Sequence, residues 1–257
     1  MITETEEHTT ENAEQVRLLA EVAALESRLA DRELFLANLR AEVAAFEGRY
    51  LREVGALYAE LDEWLARMAE LTAEMIGSEE SKTVAAEARA QAEETFAASH
   101  GEAARIEEFH PQPELKKLFH LVVRQVHPDR ASDERDRAIR ENLMSEANLA
   151  YKRQDADGLR RILESYQRHP AFVEGAGNQA KAERLQRQVE QIRRRLMEIE
   201  KEIVELNSSE TGRMMQRVRA AMAEGRDLLD EMARGLKLRI ESLREAHQGR
   251  AAGWRTQ

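Results

Sequence analysis

All four prolines of this chain, Pro111, Pro113, Pro128 and Pro170, fall between residues 111 and 170. Proline lacks the amide donor and clashes with the preceding helical turn. Long helices are therefore permitted on either side of that stretch and not through it. This divides the chain into an N-terminal arm, a central segment and a C-terminal arm. Composition then says what the arms are made of. Aromatic residues are 5% and charged residues 34% of the chain, which is too few bulky groups for a thick core but suits long paired helices.

The arms carry the apolar spacing that such helices need. Leu18, Val22, Leu25, Leu29, Leu36, Leu39, Val43, Phe46 and Tyr50 follow alternating steps of four and three, with Arg32 in the one skipped seam position. The seam continues through Val54, Leu57, Leu61, Trp64, Met68, Leu71 and Met75. Successive four-residue steps at 46, 50 and 54 are a stutter, which locally unwinds a supercoil. Gly77-Ser78 breaks the run, and from Thr83 to Phe109 the seam turns small: Val84, Ala88, Ala92, Thr95, Ser99, Ala103, Ile106. In the C-terminal arm, Leu185, Val189, Ile192, Leu196, Ile199, Ile203 and Leu206 form an unbroken heptad seam. Asn207-Ser208-Ser209 and Gly212 interrupt it, and a second run follows from Met215 to Leu243. Heptad seams of this length predict coiled coils.

Several classes of function are disfavoured. With no cysteine, disulfides, thiolate zinc sites and cysteine nucleophiles are excluded. No stretch has the apolar length of a membrane span, and the acidic start Met1–Glu14 lacks the apolar region of a secretory signal, so the expected location is the cytoplasm. Residues 1–109 carry 10 basic and 25 acidic side chains, while 110–173 carry 12 and 10, and 174–257 carry 17 and 14. So acidic an N-terminal half repels phosphate backbones. Lys116-Lys117 and Arg193-Arg194-Arg195 are accordingly taken as solvated helix faces, with no nucleic-acid partner expected. His100, His110 and His120 share no helical face, and neither a metal nor a cofactor is expected. No phosphate loop, nucleophile triad or paired-carboxylate site emerges, so the chain is not expected to be an enzyme.

The centre holds the chemistry. Leu115, Leu118, Phe119, Val122, Val123 and Val126 fall on one helical stripe, with Lys116, Lys117 and Arg124 off it. Pro113 suits the first turn of that helix, and Pro128 biases His127 away from helical geometry and ends it. A second amphipathic helix spans about Asp133 to Arg153, with Leu143, Met144, Ala147, Ala150 and Tyr151 inward. A further helix is expected over Leu159–Arg168. Two antiparallel helices would bury their facing stripes and leave His127, Pro128, Asp129 and Arg130 exposed on the connecting loop.

This arrangement resembles the J-domain of the DnaJ family: an amphipathic helix with basic residues, a His-Pro-Asp loop, then a helix whose Met144–Tyr151 segment ends in Ala150-Tyr151. The resemblance covers about residues 113–168. The first family helix, with its Tyr-x-x-Leu-Gly signature, is absent, and Ile106 and Phe109 are expected to substitute. The linker, zinc and client domains of larger members are also missing, which points to a J-domain-only protein. The resemblance implies a co-chaperone that stimulates ATP hydrolysis by a DnaK-type, 70-kDa heat-shock chaperone and serves a client protein. Asp129 would pair with an arginine of the ATPase domain, His127 would orient the loop and Pro128 fix its turn. Lys116, Lys117, Arg124 and Arg130 would steer encounter with an acidic face. The competing readings are a coiled-coil scaffold or adaptor carrying an inactive J fold, a plain helix-ending turn in which Asp129 caps the next helix, and, last, an enzyme with His127 and Asp129 as a catalytic pair, for which no pocket-forming sequence is present.

The expected architecture is all-α: a small J-like module flanked by long coiled-coil helices. Residues 1–13 form a disordered acidic tail, 14–76 a coiled coil, 83–109 an Ala-rich helix, 110–170 the module, 171–180 a linker, 181–206 a coiled coil and 213–248 a C-terminal helix. The breaks at Gly77 and Asn207 stand at similar distances from the module. That suggests an antiparallel hairpin in which the small seam of 84–106 accepts the large seam of 185–206. The run 18–75 could also pair between chains as a homodimer.

Overall fold

The computed structural model describes residues 4–105, 109–131, 133–167 and 178–255. Among these the protein is all-α, with no strand. The chain forms two compact units, one of residues 1–41 and 109–207 and the other of 42–108 and 208–257. No helix among the described residues is long and apolar enough to cross a membrane.

The first unit joins a helix pair to a small helical module. Helix α1, Glu4–Tyr50, starts well ahead of residue 14, so most of the stretch expected as a disordered tail is helical. Its early and middle part lies against α7, Asn178–Ser208. Val22, Leu29, Leu36 and Leu39 of α1 are buried, as are Val189, Ile192, Leu196, Ile199 and Ile203 of α7. Polar contacts flank this seam at heptad intervals. Glu26 accepts from Gln188 at 2.9 Å, Glu33 from Arg195 at 2.8 Å, and Glu202 pairs with Arg40. All three pairs have the same sequence offset of 162. Numbering therefore rises together along both helices, and the coil is parallel. Arg32, the charged interruption of the apolar seam, reaches Glu200 of α7 at 2.6 Å.

The antiparallel pairing of 84–106 with 185–206 is thus not the one adopted. The large seam of α7 takes the large seam of α1. The small seam finds its partner in the second unit, where α2 (Ala56–Ile76) and α3 (Glu79–His100) form a tight antiparallel hairpin. Ala59, Ala66 and Ala73 recur every seven residues on α2, and Ala85, Ala92 and Ser99 on α3, all buried. Small residues let the helix axes approach closely, so alanine complements alanine better than it complements leucine. Arg89 ties the pair together through Glu70 at 2.8 Å and Glu63 at 2.5 Å.

The stutter at 46, 50 and 54 appears as a π-helical turn, Leu51–Gly55, between α1 and α2. One extra residue per turn is the local unwinding that the spacing calls for. The expected C-terminal helix 213–248 is instead two helices, α8 (Glu210–Ala223) and α9 (Leu228–Arg255). Gly225, at φ 77°, turns the chain between them. Val54, Leu61, Val218, Leu229, Leu236 and Ile240 form the core of this unit. The Ala-rich helix ends at His100, Ile106 lies outside the described residues, and of the linker expected over 171–180 residues 171–177 lie outside them while 178–180 already belong to α7.

The module consists of α4 (Pro113–Val126), α5 (Glu134–Lys152) and α6 (Ala156–Gln167). Pro113 occupies the first turn of α4 and His127 its C-cap. The predicted stripe is the core. Leu115, Phe119, Val122, Val123 and Val126 are buried with Met144, Ala147, Ala150, Tyr151, Leu159 and Ile162. The rings of Phe119 and Tyr151 lie 4.4 Å apart, and Phe109 meets Tyr151 edge-on at 5.6 Å. Ala30 of α1 is buried in the same core, and Leu34 and Ala37 pack against it.

Candidate functional site

The His127–Arg130 loop is built from two caps placed back to back. His127, in extended geometry at φ −58° and ψ 134°, closes α4, and Pro128–Arg130 form one 3-10 turn. The backbone N–H of Asp129 donates to His127 Nδ1 at 3.2 Å, which puts the ring proton on Nε2. That Nε2–H donates to Glu33 of α1 at 3.3 Å. The next helix is capped by Asp133, whose carboxylate accepts from the N–H of Asp136 at 2.8 Å. Asp129 therefore is not a helix cap, and the plain-turn reading loses its basis.

The loop is exposed as expected at Arg130, while Pro128 and Asp129 are half-buried and His127 is buried. His127 is 3% exposed, and the Asp129 side chain retains 12% of its surface. The cause lies in α1, a segment that nothing in the local sequence of the module announces. Glu33 is a buried hub that accepts from His127 and from Arg195 of α7. Burial alone would raise the pKa of its carboxyl, but those two donors outweigh burial and hold it below the usual 4.5. Arg130 extends to Glu26 at 2.9 Å and donates to the carbonyl of Arg124. His120 meets Asp31 at 3.1 Å, and the Tyr151 hydroxyl donates to Asn38 at 2.7 Å.

Asp129 is in a different position. One of its carboxylate oxygens is buried with no hydrogen bond, 3.6 Å from His127 Nδ1. Burial pushes its pKa above the usual 3.8, against the pull of His127, Arg195 and Arg137. A cleft of about 450 Å³ opens beside it, lined by Asp129, Arg137 and Asn148 on one side and by Gln191, Arg194 and Arg195 on the other. Lys116, Lys117 and Arg124 point outward from α4 and are exposed, as is Leu121 between them. The seven candidate residues thus separate into an open helix face, with Arg130 also exposed, and a loop whose His127 is buried and whose Pro128 and Asp129 are half-buried.

Glu33, Glu26 and Arg140 were not singled out from sequence, and Arg195, read there as part of a solvated helix face, is instead half-buried against Glu33 and Glu202. Buried on α5, Arg140 pairs with Asp136 at 2.8 Å, donates to the Gln125 carbonyl at 2.8 Å and to the Tyr166 hydroxyl at 2.8 Å. It satisfies an end carbonyl of α4 just before His127 and ties all three module helices together. The four-residue spacing of Asp136 and Arg140 was its one visible signal. Among the described residues no group of three or more histidines and carboxylates could hold a metal ion, and His100 stacks on Phe96 at 4.1 Å.

Among known proteins, no family model, curated protein or solved structure matches this chain.

Proposed function

We propose that residues 110–170 act as a J-domain, that the α1–α7 coil is the arm carrying it, and that the protein is a co-chaperone of a DnaK-type ATPase. The observation that carries this reading is the His127-Pro128-Asp129 turn between two antiparallel helices, clamped from behind by Arg140 and by the tilted Phe119–Tyr151 ring pair. A plain turn needs none of that. In this reading Asp129, whose buried oxygen has no donor of its own, accepts an arginine of the ATPase domain. Lys116, Lys117 and Arg124 supply a basic approach face. The module binds one conformation of the ATPase better than another and so shifts it toward hydrolysis. The protein itself hydrolyses nothing.

The burial of His127, with both ring nitrogens engaged inside the chain, favours a second reading: a scaffold in which the module is an inactive structural knuckle. Single-turnover ATP hydrolysis by a DnaK-type chaperone separates the two. The assay uses the full chain and a Glu26→Gln/Glu33→Gln variant in which two ties to the loop are weakened. Acceleration that disappears with His127→Gln supports the co-chaperone. If neither protein accelerates hydrolysis, or if acceleration survives His127→Gln, the mechanism is wrong and the scaffold reading stands.

A further inference from the structure

The contacts of α1 with the module form one continuous strip. Glu26, Ala30, Glu33, Leu34 and Ala37 recur at helical spacing on a single face, with Asp31 and Asn38 along its edges. Ala30 enters the module's core, and Leu34 and Ala37 pack against it. The polar residues between them each take a specific side chain of the module: Arg130 to Glu26, His120 to Asp31, His127 to Glu33 and Tyr151 to Asn38. Three of the four are acids meeting a basic or imidazole group, so the strip complements the module in charge as well as shape.

We infer that this strip of α1 is an autoinhibitory clasp, keyed by Glu33, that holds the His-Pro-Asp loop out of a partner's reach until α1 lifts from the module. The geometry stands by itself; its consequence for ATPase stimulation rests on the co-chaperone reading. Three observations carry it. First, the surface is divided, because Lys116, Lys117, Leu121 and Arg124 are open on α4 while His127 is closed. A partner can land on the helix face but cannot touch the imidazole. Second, the closed state contains a local fault, the buried Asp129 oxygen without a donor, which opening would return to water. Third, one carboxylate serves both the loop and α7. Loss of Glu33 therefore takes a partner from His127 and from Arg195 together, although Arg195 keeps Glu202.

The test locks and loosens the clasp in the full chain. Because the protein has no cysteine, an Asp31→Cys/His120→Cys variant can be bridged by a short, reductant-cleavable thiol reagent. Amide exchange at Asp129, Arg130 and Ala131 reports whether the loop is covered, and chaperone ATPase reports its use. Bridging should slow exchange and bring ATP hydrolysis down to that of the chaperone alone, and cleavage should restore both. Glu26→Gln/Glu33→Gln should raise exchange by at least about tenfold, the scale of losing one charged hydrogen bond. If exchange ignores both manipulations, or if the bridged protein stimulates as well as the free one, the clasp is overturned. If exchange responds but no form stimulates the ATPase, the clasp stands and the co-chaperone reading falls.

Discussion

Two turns in this protein join antiparallel helices, and they are made differently. Between α2 and α3 the chain turns through Gly77 and Ser78. Glycine takes the left-handed C-cap at φ 70°, the serine oxygen caps α3 by accepting from Ser81 N–H, and every residue from Glu74 to Glu80 is exposed. Between α4 and α5 the turn uses His127, Pro128 and Asp129, buries the imidazole, and leaves a carboxylate oxygen without a donor. The first turn shows how little a helical hairpin requires. The chemistry at the second therefore exceeds what chain reversal needs, and residues that are locally unfavourable are expected where a site is kept for binding.

The largest effect that can sharpen this contrast is expected behind the second turn. Phe119 is fully buried, its ring tilted against that of Tyr151. Phe119→Ala should destabilise the module by roughly 3–5 kcal/mol, seen as an early unfolding step in calorimetry while the α2–α3 hairpin keeps its exchange protection. Unchanged melting of the module would mean that this ring pair is not its core. At the first turn the expected effect is smaller. A Cβ added at Gly77 meets nothing within 4 Å, so only the left-handed backbone resists it, and Gly77→Ala should cost about 1 kcal/mol. A loss comparable with that of Phe119→Ala would show that this turn is more constrained than its exposure indicates.

The smallest effect has the opposite sign. Burial raises the Asp129 pKa above 3.8, so the folded protein carries an ionised carboxylate that it disfavours. That cost is present above the raised value and is relieved as pH falls through it. Asp129→Asn should therefore stabilise the protein at pH 7, and the gain should vanish below the ordinary carboxylate range. Glu33 behaves conversely. Its lowered pKa contributes stability above 4.5 that is lost as pH falls through the folded value. Denaturant melts of Asp129→Asn and Glu33→Gln across that range should diverge in sign at neutral pH. If Asp129→Asn is the less stable variant at pH 7, the carboxylate is structural and the contrast between the two turns is lost.

Much of this was legible in sequence because it depends on neighbours along the chain. The stripe from Leu115 to Val126, bounded by Pro113 and Pro128, is the buried face of α4. The step pattern at 46, 50 and 54 became the π-helical turn, and Gly77-Ser78 became a cap pair. Gly225 falls inside the single helix expected over 213–248, whereas it lies at the turn between two helices. Local spacing alone does not separate a tolerated glycine from a terminating one.

Seam pairing is a different problem. Leu29 on α1 and Ile192 on α7 carry heptad signals, as Ala92 on α3 does, and heptads state that a helix has a partner without naming it or its direction. The choice was made by side-chain volume, large seam against large and alanine against alanine, and by the path that returns α7 alongside α1. The sequence by itself determined the all-α class, the module's core stripe and the His-Pro-Asp turn, since each follows from backbone preferences and helical periodicity within a few residues. Only the tertiary structure decided that Glu33, on a helix far away in sequence, would bury His127 and share its carboxylate with Arg195. A carboxylate on a helix flank looks the same in sequence whether it faces water or an imidazole, and only packing brings the partner within hydrogen-bonding distance.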